Sequence, residues 1–323
     1  MLAAYVERLG SADLIRVGEL PVPRPGPTDV LVEVETVAVN PVDALVRSGR
    51  YRTPVPLPFV VGRDLVGTVA AVGAAAVPFR TGDRVWCNSL GHEGRQGSFA
   101  RFAVVPVDRL YRLPDGVDPW LAVAVAHPAG TAYLGWFVHA RLRAGQTVLV
   151  GGAAGNVGTA ATQMAVAAGA RVLATARPGD HDHCKAAGAD VVLDYRDPVL
   201  ADHVLAAAPG GVDVVWDTSG HNDLDLAARV CRPGGRVLLT AAKRPAAKVP
   251  LAGLYTRDIT VAGFVISRAT ATDLAAAAEL VNGLHREGRL TARITDELPL
   301  AATAEAHRRI EHGALRGRLL LHP

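Results

Sequence analysis

Residues 147–158 read TVLVGGAAGNVG. The opening TVLV is short and largely apolar, as in a strand buried on both faces of a parallel sheet. It leads into Gly152, Gly155 and Gly158, spaced three apart, and a helix-like stretch opens at once and ends on Gly169. Small residues at such a strand-to-helix turn let the backbone approach a pyrophosphate, whose charge meets the free amides of the helix N-terminus. Gly152, Gly155, Asn156, Val157 and Gly158 are therefore candidate dinucleotide contacts. The competing reading is a tight turn that holds no ligand. A lone glycine pattern is weak evidence; its position at the first strand-helix junction of a repeating series gives it weight.

That series extends downstream. Strand-like runs at 171–175 (RVLAT), 191–194 (VVLD), 212–217 (VDVVWD), 236–240 (RVLLT) and 259–266 (ITVAGFVI) alternate with helix-like runs at 183–188, 199–208 and 224–230. The alternation predicts βαβ units and a doubly wound parallel sheet. The residue after the second strand chooses between cofactors. An NAD(H) enzyme usually places an acid there for the ribose 2′-OH, whereas this chain has Ala174-Thr175-Ala176-Arg177. A guanidinium suits a 2′-phosphate, so Arg177 points to NADP(H). A solvated loop arginine is the alternative, and Asp180 stands three residues on.

Upstream the character changes. Residues 30–39 (VLVEVETVAV), 65–72 and 99–105 alternate as half-buried strands do. Prolines at 21, 23, 25, 27, 54, 56 and 58 exclude long helices between them. The tail carries two helix-like runs (272–287 and 301–312) and a closing strand at 318–321, which must pair with something and is expected to return to the first domain. The division predicted is 1–121 and 267–323 for a β-rich domain, with 122–266 inserted as the dinucleotide domain.

Of 323 residues, half are hydrophobic and a fifth charged, a globular composition. The formal net charge is +3, and no run of like charge marks a nucleic-acid or membrane partner. Three scattered cysteines exclude a disulfide framework and fit a reducing cytoplasm. No signal peptide is evident, and no stretch reaches the roughly 18 uninterrupted apolar residues of a membrane span.

Motifs in order along the chain now converge: Asn40-Pro41-Val42-Asp43, Ser48-Gly49-Arg50-Tyr51, Pro58-Phe59-Val60-Val61-Gly62-Arg63-Asp64-Leu65-Val66-Gly67, Gly82-Asp83-Arg84-Val85, Gly130-Thr131-Ala132-Tyr133, the GAAGNVG loop, and Gly188-Ala189-Asp190 followed by Asp194-Tyr195-Arg196. In this order they resemble the zinc-free quinone oxidoreductase (zeta-crystallin-like) branch of the medium-chain dehydrogenase/reductase superfamily, over essentially the whole length. The resemblance implies an α/β chain with a GroES-like β-barrel catalytic domain and an inserted Rossmann domain. It also implies NADP(H), a homodimer, and hydride transfer to a quinone or to an activated C=C of an enone.

The resemblance also assigns residues. Thr131, Ser219, Thr240, Ala241, Phe264 and Val265 are expected along the nucleotide, Tyr195 beside its 2′-phosphate, and Arg318 near phosphate. Asn40 and Tyr51 are expected to line the substrate pocket, and Asp43 to position neighbours. Tyr51 is read either as a proton donor or as a loop aromatic packed on the prolines. Metal-using relatives place a Cys, a Gly-His-Glu and a second Cys around zinc. Here those positions are Asn40, Gly62-Arg63-Asp64 and His127. Catalytic zinc needs three protein ligands and arginine is not one, so no metal is expected. His127 is read either as a proton donor or as a packed histidine. The letters Gly91-His92-Glu93 come too late to be the metal motif and are read as a substrate loop or surface. Other readings left open are a reductase dedicated to one biosynthetic intermediate, a noncatalytic NADPH- or RNA-binding protein, and a zinc alcohol dehydrogenase.

Overall fold

The computed structural model describes residues 1–243, 246–313 and 315–323. The chain divides into two units, one formed by Met1–His127, Thr270–Gly288 and Ala292–Pro323, the other by Pro128–Ala269 with Arg289–Thr291.

The first unit is built around one long strand, Asp29–Ala38. Its alternation puts Val30, Val32 and Val34 in the core and leaves Glu33 and Glu35 exposed. It pairs antiparallel with Leu65–Val72, Phe102–Pro106 and the closing strand Arg318–His322. The full sheet has seven strands, with Ile294–Pro299 at one end and Arg84–Cys87 and Tyr111–Arg112 at the other. Gly67 permits the close crossing, since a Cβ there would lie 2.2 Å from the Glu33 carbonyl oxygen. The extended run read at 99–105 is shared between two sheets. The amide of Ala4 donates to the Phe99 carbonyl, and Phe102–Pro106 turns to the long strand. A short helix, Pro41–Arg47, follows the long strand directly. Pro41 has no amide to leave unsatisfied at a helix start, and the Asn40 amide donates to Asp43 Oδ2 at 2.7 Å.

The second unit is a six-stranded parallel sheet in the order Val191–Asp194, Arg171–Ala176, Thr147–Gly151, Val212–Asp217, Cys231–Leu239, Thr260–Gly263. Counted from Thr147–Gly151 this is 3-2-1-4-5-6, the Rossmann order, which reverses beside the first strand and opens a crevice there. The last strand is shorter than its sequence run: Phe264 and Val265 lie beyond it. The helix Pro119–Tyr133 passes across the division of the units and continues as a π-helical turn, Leu134–Ala140. Gly135 on that turn has no Cβ to strike the Trp216 ring, which would be 2.4 Å away, and Trp136 meets Trp216 edge-on at 4.9 Å. By length and composition Pro119–Ala140 is apolar enough to cross a bilayer, yet 72% of that stretch is buried in the protein, as in a core helix.

Candidate functional site

Two polar constructions stand out, one in each unit. In the second, a groove of about 740 Å³ opens at the strand-order reversal. Gly152 is left-handed (φ 66°), and a Cβ there would lie 2.9 Å from that of Ser219. A Cβ on Gly158 would lie 2.3 Å from the Gly152 carbonyl oxygen, so the turn and the first helical turn of Asn156–Ala167 pack backbone on backbone. Asp217 holds the facing loop by accepting from the amides of Ser219 (2.7 Å) and Asn222 (2.6 Å). This cradle offers amides to an anion and leaves room for it, which fits a pyrophosphate.

Gly152, Gly155, Arg177, Tyr195 and Ser219 line the groove. Asn156 and Val157 occupy the start of the helix, half-buried. Arg177 Nε donates to Asp180 Oδ2 at 2.6 Å, so the one acid near the end of the second strand is engaged by the arginine. Thr240 and Ala241 line a separate cavity of about 650 Å³, and Thr240 accepts from Trp216 Nε1 at 3.1 Å. Phe264 stacks on His139 at 4.4 Å, Val265 is half-buried, and Thr131 is buried on the Pro119–Tyr133 helix.

In the first unit the long strand, the loop before Leu65–Val72, the Pro119–Tyr133 helix and the closing strand bring together Asn40, Asp43, Arg63, Asp64, His127 and Arg318. Arg318 Nη1 donates to Asn40 Oδ1 at 2.9 Å and its Nη2 to Asp64 Oδ2 at 3.3 Å. Asn40 Nδ2 donates to Asp64 Oδ2 at 2.8 Å and to the Ala38 carbonyl at 3.3 Å. His127 Nδ1 lies 3.9 Å from Asp64 Oδ1. Burial pushes the Asp64 carboxyl up to about 7 against the downward pull of Arg318, and Asp43 up to about 6 against its bond from the Asn40 amide. Burial drives His127 well below the ordinary imidazole range, and Arg63 and Arg318 add to it. The ring is neutral at physiological pH.

Two expectations are corrected here. Arg318 is 1% exposed and committed within the first unit, so its guanidinium is a buried strut and not a phosphate contact. Asn40 spends both amide hydrogens inside the same cluster, so it positions Asp64 and Arg318 and has no donor left for a substrate. Of the two readings of Gly91-His92-Glu93, the surface one does not hold for His92, which is 5% exposed with its ring 5.8 Å from that of Tyr51. Arg63 was legible only as a non-ligand; the structure makes it one of the largest fully buried side chains. Its signal in the sequence was a charged pair, Arg63-Asp64, flanked by apolar residues on both sides.

Comparison with known proteins places these constructions. The profile of the alcohol dehydrogenase GroES-like domain matches residues 26–115, and that of the zinc-binding dehydrogenase matches 156–283. Mouse quinone oxidoreductase is 31% identical, covering 99% of this chain and 97% of its own length. Among solved structures, an NAD-dependent alcohol dehydrogenase superposes with a TM-score of 0.90 at 30% identity, covering 100% of both chains. A mycobacterial protein complexed with NADPH superposes with a TM-score of 0.87 at 30% identity, again covering 100% of both.

The second profile's name raises the question of zinc. The positions that carry the metal in metal-using relatives hold a saturated amide, a guanidinium, a carboxylate already paired with a second guanidinium, and a single imidazole, His127. Two fixed cations inside this cluster repel a divalent ion, and among the described residues no group of three His, Cys, Asp or Glu could hold one. These residues do not fit a metal. The motifs, the two folds and the full-length likeness together make the chain a member of the quinone oxidoreductase (zeta-crystallin-like) branch of the medium-chain dehydrogenase/reductase superfamily.

Proposed function

We propose that the protein is a zinc-independent, NADPH-dependent reductase that delivers hydride to a quinone or to the activated C=C of an enone. The glycine cradle in a groove bordered by Arg177 and Tyr195 carries this reading. Asp180, by accepting from Nε, fixes Arg177 at the groove rather than leaving it to swing in solvent. A planar guanidinium beside an exposed phenol ring is chemistry for a 2′-phosphate. The NADPH-bound mycobacterial relative points the same way, whereas the NAD-dependent neighbour shows that the fold alone does not choose.

Reduced nicotinamide, when bound, supplies a hydride to an electron-poor carbon. The chain's own residues do the rest. Gly152, Gly155 and Gly158 admit the pyrophosphate, and the helix start at Asn156 meets its charge. As negative charge gathers on the substrate oxygen, Tyr51 is the hydroxyl placed to donate to it, and water can complete the protonation. His127 is neutral, so it serves as a hydrogen-bonding group rather than as an imidazolium acid. Cys87, Cys184 and Cys231 are all buried and in no disulfide, which fits a reducing cytoplasm. Burial pushes Cys87 up to about 11, which leaves it inert as a nucleophile.

We place a homodimer contact along the outermost strand, Thr260–Gly263. It is an open sheet edge, and Leu251, Tyr255 and Val261 nearby are 70%, 72% and 39% exposed. The decisive assay follows NADPH and NADH oxidation separately against ortho-quinones, para-quinones and α,β-unsaturated ketones. Turnover with NADPH is the expected result. Failure to bind either nucleotide overturns the reading of the groove.

A further inference from the structure

We propose that the Arg63 guanidinium is an oxyanion-binding group, a fixed positive charge that takes the position a metal holds in zinc-using relatives and receives a substrate oxygen as it becomes negative. Its catalytic side rests on the reductase reading; its binding side does not.

Arg63 is 2% exposed, and among the described residues no protein acceptor meets its Nε or Nη2. A buried N–H without a partner carries a desolvation penalty, more for a charged group, and such groups need an explanation when a fold keeps them. The two nearby acids do not supply it. Asp64 spends Oδ2 on Asn40 and Arg318, and Asp43 spends Oδ2 on the Asn40 amide. Both lie in the field of Arg63 without capping its fork. A phenol and two imidazoles also feel its charge: Tyr51 and His92, whose rings lie 5.8 Å apart, and His127, 3.9 Å from the neighbouring Asp64. Burial holds His92 down to about 4, so it too is neutral. Neutral donors around an uncapped, desolvated guanidinium make a receptor for an oxygen bearing negative charge.

Reduced nicotinamide, when bound, would supply the hydride, its own C–H bond breaking as one forms at the acceptor carbon. The π electrons shift until the carbonyl oxygen holds the pair, and Arg63 neutralises it there. A proton from water then completes the ketone; with a quinone, the ring carbon that took the hydride gives up a proton as an oxygen gains one, and the quinol results.

Two measurements test this on the intact protein. The first is binding of 4-nitrophenolate against its neutral methyl ether, 4-nitroanisole, by calorimetry with NADP⁺ present. Wild type should prefer the anion by at least about tenfold, a difference within reach of one charge-assisted pair. Arg63→Gln should lose that preference while binding NADPH as tightly as before, and Arg63→Lys should keep part of it. The second is kcat/KM on the best acceptor. Arg63→Gln should lose about 10²–10³, the usual cost of one oxyanion donor, and methylguanidinium added to Arg63→Ala should restore part of the loss. No anion preference in wild type overturns the proposal, and that arm needs no variant to fold. An Arg63→Gln protein that keeps the preference overturns it too, and leaves Arg63 as a counter-ion for Asp43 and Asp64. An anion preference without turnover on any acceptor removes the reductase reading and leaves this site standing.

Discussion

The groove of the second unit and the cluster of the first answer the same need, handling negative charge, by opposite means. The groove offers backbone amides, space and an arginine at the end of the second strand; the ligand brings the charge. The cluster carries its own charges, two carboxylates and two guanidiniums, shielded from water, and Asn40 ties all of them but Arg63. In the groove, function depends on atoms that are missing, since a Cβ at Gly158 has nowhere to go. In the cluster, it depends on atoms that are present and mutually committed. Substitutions should therefore separate the two. Groove variants lose ligand and keep the fold, whereas variants that break the ties among Asn40, Asp64 and Arg318 lose stability.

The sharpest contrast comes from Arg318→Ala. Removing one partner of a buried ion pair costs about 3–5 kcal/mol, so the urea midpoint should fall steeply even with no nucleotide present. A midpoint within error of wild type would mean that the cluster is not the buried strut described. Next is Gly158→Val, in which the added carbons meet the Gly152 carbonyl. NADPH affinity, read by fluorescence, should drop at least about 100-fold, or 2.7 kcal/mol.

Arg177→Ala should be milder and of the other kind. Stability should stay within about 0.5 kcal/mol, as for a surface change, while the NADPH/NADH ratio of kcat/KM falls about tenfold, or 1.4 kcal/mol. An unchanged ratio removes Arg177 from the 2′-phosphate. The smallest effect concerns His307, fully buried in the first unit with both ring nitrogens unpaired among the described residues. Burial, with Arg47 adding to it, holds its ring down to about 3 from an ordinary 6.5. Because the folded value is the lower, its stability contribution is complete above pH 6.5 and is lost as pH falls toward 3. His307→Leu should flatten the fall of unfolding free energy between pH 6 and 4 by up to about 1.4 kcal/mol per pH unit.

The groove was legible because its parts are local. One strand, one turn and one helix start lie within twelve consecutive residues, and the residue after the next strand follows by topology alone. The cluster was not, because Asn40 and Arg318 are 278 positions apart and meet only where Leu320 pairs with Ala38. The closing strand was expected to return to the first domain, and it does; which side chain its first residue would meet depended on register, which no single-strand pattern states. The helix Pro41–Arg47 had a readable start, an Asn followed by Pro, but was hidden by a reading of the region as strands and loops. His92 was left open between substrate loop and surface because a glycine-rich loop states no burial; this one folds its histidine against Tyr51.

The pairing of residues 318–322 with residue 38 and its neighbours also orders events on the ribosome. Every strand of the second unit has been synthesised before Arg318 exists, so that unit can fold while the chain is still growing, as domains generally do. The first unit cannot. The end of its long strand, Val37–Ala38, waits unpaired, and Asp64 waits without its guanidinium partner, across the whole translation of the inserted domain. Nascent chains should thus acquire nucleotide affinity before they acquire a finished charge cluster, and ribosome-stalled chains ending before Arg318 should bind cofactor yet remain open to protease in their N-terminal third.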